Sequence, residues 1–193
     1  MTFSSLEDNP ITCNEAHNLK LLLAAYHVHL YSAFAAKEQQ KIRSHDVAVT
    51  ILPTSQRRVM ANKSFAKGDL RLDAYSEAIR ERTAADKDSQ FCNGGKSFPS
   101  AIIVKNVSFA GVTKDLILQP HAKYPAADKE VTPKTASFIV PFWCVKITPH
   151  KALSNVEIVR TTTRTAFGTF PIVYMTNKKN IKKGDQLFLF EQD

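Results

Sequence analysis

Two stretches of this chain repeat one pattern. Val59-Met60-Ala61-Asn62-Lys63-Ser64-Phe65-Ala66-Lys67-Gly68-Asp69-Leu70-Arg71-Leu72 and Val173-Tyr174-Met175-Thr176-Asn177-Lys178-Lys179-Asn180-Ile181-Lys182-Lys183-Gly184-Asp185-Gln186-Leu187-Phe188-Leu189 share an order of features. Each runs from a strand-like segment through a basic turn to one apolar residue, Phe65 or Ile181, then through Lys-Gly-Asp to a second strand-like segment. The spacing predicts a strand, turn, strand clip over each stretch, with Phe65 and Ile181 buried. A single clip constrains little. Two, on the flanks of a β-rich segment, restrict the chain to folds that use such units in pairs.

Ahead of the first clip the texture is helical. Residues 1 to 11 read as a polar lead, and Thr12-Cys13-Asn14-Glu15 has capping-box spacing that should start a helix. Leu19, Leu22, Leu23, Tyr26, Leu30, Ala33 and Phe34 then recur on one helical stripe, with an end near Lys41 to Ser44. Such a stripe is read as packing on the β domain, because left bare it would form a large apolar patch. Val47 to Leu52 is β-branched and bounded by Pro53, a strand. Asp73 to Thr83 has helical spacing at Ala74, Ala78 and Ile79, and Ala84 to Pro99 reads as an exposed loop. Strand-like runs follow at 101–107, 116–118, 137–147, 156–161, 170–176 and 186–190, with no long helical pattern between them, which favours antiparallel or mixed β structure. The organisation is an N-terminal lead and helix over 1–45, then a β domain over 46–193 with an inserted region about 73–100.

Length and composition set outer limits. A chain of 193 residues, 44% hydrophobic, can bury a core as one domain or one domain with an appendage. Cys13, Cys92 and Cys144 are widely spaced without a C-x-x-C pair, which excludes a disulfide scaffold and a zinc ribbon. The apolar stretch from Leu21 to Ala36 is broken by His27, His29 and Ser32, so no membrane span is expected. The first residues lack a signal-peptide pattern, and the expected location is intracellular, without distinction between cytoplasm and nucleus. The formal net charge of +8 favours acidic partners, nucleic acid first among them.

Several short motifs resolve to ordinary roles. Gly95-Lys96-Ser97 ends like a P-loop, but Gln90 stands where the first glycine is required. His27 and His29 are two apart on a helix and face different ways, and no other histidine has a ligand partner at metal spacing, so no metal site is expected. Phe138 to Ile147, with the only Trp, reads as a core strand anchored by Trp143. The basic residues gather in the clips: Arg57, Arg58, Lys63 and Lys67 in the first, Lys178, Lys179, Lys182 and Lys183 in the second. Brought together they would make a phosphate-attracting surface. Kept apart they would only solvate turns and blunt sheet edges.

The clip phrases resemble the opening and closing phrases of SET domains, the fold of protein lysine methyltransferases, and Ser154-Asn155-Val156-Glu157-Ile158 is similar to the strand following that family's central motif. The smaller SAF-type β-clip domains are a weaker match. The resemblance implies an α+β protein: an N-terminal helix packed on a mostly antiparallel SET-like β-clip domain. The family's cofactor chemistry does not carry over. Where the family has Asn-His-Ser-Cys, this chain reads Phe142-Trp143-Cys144-Val145-Lys146-Ile147, and it contains no Asn-His pair. Gln56-Arg57-Arg58 replaces the opening Gly-x-Gly, and Leu187-Phe188-Leu189-Phe190-Glu191 lacks the closing catalytic Tyr.

The sequence therefore points to a non-catalytic binding or interaction module, without a cofactor, contacting nucleic acid or acidic protein through its basic clip turns. The alternative is a divergent S-adenosylmethionine-dependent protein lysine methyltransferase. In that case Tyr174 or Tyr75 would supply the catalytic hydroxyl and Asn155 a cofactor contact. The sequence leaves the oligomeric state open.

Overall fold

The computed structural model describes residues 10–44, 46–51, 57–76, 78–86, 98–99, 101–120, 140–165 and 168–190. Among these residues one helix, α1 (Pro10–Ser44), precedes ten strands: β1 (Val47–Ile51), β2 (Arg57–Ala61), β3 (Arg71–Asp73), β4 (Ala78–Glu81), β5 (Ile102–Phe109), β6 (Val112–Gln119), β7 (Lys146–Thr148), β8 (Val156–Thr165), β9 (Gly168–Asn177) and β10 (Phe188–Phe190). They form a β1-β2 ribbon, a five-stranded sheet in the order β3-β9-β8-β10-β7, and a three-stranded sheet in the order β4-β6-β5. The class is α+β, and most pairs are antiparallel. β10 is the departure, since it runs parallel to both β7 and β8.

The helix starts at Pro10, two residues before the capping-box reading placed it. Proline suits a first helical position, where its missing N–H would have no helical acceptor in any case. The predicted stripe packs as far as Leu30, and the side chains of Ala33 and Phe34 lie outside the described residues. Leu22, Tyr26 and Leu30 are buried, Leu19, Leu23 and Ala25 lie against the same core, and the helix rests on β5 and β6 with smaller contacts to β4 and β9. Tyr26 is wholly buried and its hydroxyl donates to the Pro171 carbonyl, 2.9 Å away, which removes the cost of an unpaired phenol.

Two sequence expectations fail locally. The helical reading of Asp73 to Thr83 is wrong: none of the described residues there is helical, and β4 pairs with β6 from Ala78–Gln119 to Glu81–Leu116. The reason lies at Ser76, whose hydroxyl accepts from the Ala78 amide, 2.9 Å, and donates to the Gln119 carbonyl. A serine that binds neighbouring backbone in this way competes with helix formation, and pairing to β6 decides the outcome. The strand expected over 137–147 is also interrupted. Pro141–Cys144 is a 3-10 turn, and among the described residues of that stretch the strand is Lys146–Thr148, while 137–139 lie outside them. Pro141 opens that turn with a preset φ, and the Trp143 amide donates to the Val140 carbonyl, 3.1 Å. Trp143 is nevertheless the packing anchor expected of it, buried with its indole N–H on the Tyr75 carbonyl at 2.6 Å. Gly95-Lys96-Ser97 and most of the 84–99 loop lie outside the described residues.

No helix among the described residues is long and apolar enough to cross a membrane.

Candidate functional site

The clips form as expected, one as β2 and β3 around Phe65, the other as β9 and β10 around Ile181, and both apolar residues are buried. The sequence did not reveal that each clip is the other's partner. The Phe65 amide donates to the Ile181 carbonyl, 2.9 Å, and the Ile181 amide returns a bond to the Phe65 carbonyl, 3.0 Å. Around this bridge the bonds recur in matched pairs. The Gly68 amide reaches the Asn177 carbonyl at 2.9 Å, and its counterpart Gly184 reaches the Ala61 carbonyl at 2.8 Å. The Asp69 amide bonds the Ala66 carbonyl and the Asp185 amide bonds the Lys182 carbonyl, each at 3.1 Å. The Lys67 amide donates to Asn180 Oδ1, 2.9 Å, and the Lys183 amide to Ser64 Oγ, 3.2 Å. Every pair is related by one fixed offset along the chain, which is the signature of a local two-fold.

Two buried asparagines stabilise the arrangement where its symmetry breaks. Asn177 takes the Leu70 amide on Oδ1, 2.8 Å, and donates from Nδ2 to the Ala66 and Lys179 carbonyls at 2.7 and 3.0 Å. Its counterpart, Ala61, has no side chain to do the same for the second clip. Asn155 fills that role from the start of β8, donating to the Gln186 carbonyl and accepting from the Phe188 amide, both 2.8 Å. Asn155, named above as the alternative cofactor contact, thus commits both ends of its carboxamide to the backbone of the second clip.

This cross-bonding brings the two clip turns together, but their lysines are not equivalent. Lys67, Lys182 and Lys183 are exposed and form no ion pair among the described residues. Lys63 pairs with Asp46 and lies 5.4 Å from the Phe65 ring centroid. Lys178 is half-buried, and Lys179 Nζ donates to the Ala152 carbonyl, 3.3 Å. The last bond ties the exposed 150–153 turn to the clip, so that Lys151 and the exposed Leu153 join its border. Nothing in the sequence near Lys151 signals this, because the link is made in space. The acidic residues of the two turns are Asp69 and Asp185, and one Asp185 oxygen already accepts the Lys182 amide, 2.9 Å. Arg58 is exposed on β2, whereas Arg57 turns Nη1 toward Cys144 Sγ, 3.9 Å. Burial pushes that thiol above its ordinary range.

Tyr75 and Tyr174 are each packed against other side chains. Tyr75 is buried, its ring 6.2 Å from that of His27 and 6.0 Å from that of Tyr31. Tyr174, half-buried on β9, lies beneath the Arg71 guanidinium, 4.2 Å from ring centroid to Cζ, and Arg71 is itself paired with Asp73 at 3.0 Å. The molecule carries a cleft of about 250 Å³ beside Arg160 and an open depression of about 470 Å³ beside Arg82, and neither Tyr75, Tyr174 nor any residue of the clip turns lines them. Among the described residues no group of His, Cys, Asp or Glu is arranged to hold a metal ion. A scan against protein-family models finds no match to this chain, and neither does a search of curated proteins.

Proposed function

We propose that the chain is a SET-like β-clip scaffold acting as a non-catalytic binding module, with the paired clip turns as its contact surface for nucleic acid or an acidic protein. The supporting observation is the reciprocal hydrogen bonding of the clips, which holds Lys67 from one and Lys182 and Lys183 from the other on a common rigid base. Charges held on a rigid base act together on a polyanion, and lysine serves phosphate as a point charge. Among the described residues of the clip turns the one aromatic side chain, Phe65, is buried, which favours contact with backbone phosphate or clustered carboxylate over individual bases.

The test is fluorescence anisotropy with a labelled duplex and with a polyglutamate peptide, at low and raised salt. The reading requires saturable binding to at least one of them, weakened by salt and by Lys67→Glu/Lys182→Glu/Lys183→Glu in a protein that still melts cooperatively. Binding that ignores both changes, or no binding at low salt, would refute it. Calorimetry with S-adenosylmethionine on the same sample tests the methyltransferase alternative.

A further inference from the structure

The β1-β2 ribbon has one edge tied and one edge open. On β2 the Ala61 amide donates to the Asp185 carbonyl and the Val59 carbonyl accepts from the Leu187 amide, each at 2.9 Å, so the main-chain groups of Val59 and Ala61 point away from β1. The Asn62 amide, by contrast, crosses the ribbon to the Asp46 carbonyl, 2.9 Å. These two orientations alternate along an antiparallel pair, and the register sets Val47 opposite Ala61, Val49 opposite Val59 and Ile51 opposite Arg57. The N–H and C=O groups of Val47, Val49 and Ile51 therefore point out of the ribbon. On that side Val47 and Val49 have no hydrogen bond among the described residues. An open row of this kind is normally blunted by charge, proline or a bulge. The other sheet edges follow that rule: β3 has Arg71 and Asp73, β4 has Arg80 and Glu81, β5 has Lys105 and a break in its register, and β7 has Lys146. β1, Val47-Ala48-Val49-Thr50-Ile51, has no charge, no proline and an unbroken register.

We propose that β1 pairs antiparallel with β1 of a second copy of this chain, about a two-fold axis through Val49. The outward residues are placed symmetrically about that axis, so Val47 stands opposite Ile51 of the second copy and Val49 opposite Val49. Each such pair exchanges two hydrogen bonds. Continued through the ribbon register, every row across the resulting four strands holds at most one charged residue, Arg57 or Arg58, and no like charges are opposed. β1 has no charge with which to select an acidic or a basic strand, and pairing with itself satisfies two open edges at once. Five residues span only about 17 Å, so the association is reversible rather than permanent.

The pairing requires none of the clip lysines. Sedimentation equilibrium from about 10 μM to about 1 mM, at raised salt because each copy has a formal net charge of +8, should show a reversible equilibrium of monomer and dimer. Val49→Pro removes an outward N–H and leaves the bonds to β2 in place, since proline is tolerated on an open edge. It should weaken the dimer at least about tenfold. Amide hydrogen exchange on the wild type reads the same edge without a substitution. Val47 and Val49 should exchange quickly in dilute protein and slowly at high concentration, whereas Ala48 and Thr50, which bond across to β2, are slow in both. A monomer at every concentration, a folded Val49→Pro protein that dimerises as well as the wild type, or a dimer in which the Val47 and Val49 amides gain no protection would overturn the proposal. Full protection of those amides already in the dilute monomer would overturn it too, because another segment of the chain would then hold the edge. Should Val49→Pro fail to fold, the exchange pattern of the wild type decides.

Discussion

Among single residues, Asn177 bears the most structure for its size. Its carboxamide joins three backbone groups of two clips, and only one of them, the Leu70 amide, belongs to a deeply buried residue. Asn177→Ala strands that N–H without a partner, while water can reach the carbonyls of exposed Ala66 and Lys179. The expected loss is about 2–3 kcal/mol, read as a lower urea midpoint at unchanged slope. Asn180→Ala, which removes a bond to Lys67 made at the surface, should cost under about 1 kcal/mol. His29 provides a second test. Its Nε2 is buried without a hydrogen-bond partner, its ring lies 5.1 Å from that of Phe170, and burial holds its pKa below the usual 6.5. Because the folded state favours the neutral ring, the unfolded chain binds the proton more readily, so this contribution is complete above pH 6.5 and declines as pH falls below it. Thermal melts at pH 7 and 5 should show a smaller acid loss for His29→Leu than for the wild type.

At the level of elements, the equivalence of the clips makes a comparison possible. Gly68 and Gly184 have φ of +88° and +90°, and an added Cβ would meet nothing within 4 Å at either. The cost of alanine is then purely conformational, about 1–2 kcal/mol, the same at both sites, and smaller for asparagine, which tolerates the left-handed region. A cost confined to one glycine would mean that the turns are not equivalent, and paired melts of Gly68→Ala and Gly184→Ala decide it. The clips were legible because their information is local: an apolar residue, a basic turn and Lys-Gly-Asp recur in order. Their mutual pairing was not, since Phe65 and Ile181 exchange bonds that no short window contains. The same distinction explains the misreadings. Ala74, Ala78 and Ile79 have helical spacing, but β6 and the Ser76 hydroxyl claim that backbone, and a proline at the head of a strongly apolar run turned a predicted strand into a 3-10 turn. At the candidate site the lysines could be named from sequence but not ranked. Lys63 is neutralised by Asp46, a residue outside the clip, and Lys151 belongs to a turn that Lys179 ties to the clip through the Ala152 carbonyl.

For the molecule as a whole, the proposed reading predicts no transfer of labelled methyl from S-adenosylmethionine to lysine peptides. Such transfer depends on in-line alignment, which can supply roughly 7–11 kcal/mol of a barrier. Asn155 spends its carboxamide on the second clip, Tyr75 is buried against the helix, and Tyr174 lies under Arg71, so none of the alternative residues stands ready for that alignment. Methylation abolished by Tyr174→Phe or Tyr75→Phe would reverse the conclusion. The binding mode makes the more quantitative prediction. If exposed clip lysines displace counterions from a duplex, log K falls linearly with log salt at a slope of about −0.9 for each phosphate neutralised. Lys67, Lys182 and Lys183 have no competing ion pair among the described residues, so Lys→Ala at each should flatten the slope by about 0.9. Lys63→Ala should flatten it by much less, because Asp46 already neutralises that charge. A salt titration of the four single variants therefore measures the ranking that the paired clips impose, and equal slopes for Lys63→Ala and Lys183→Ala would show that the face does not act as described.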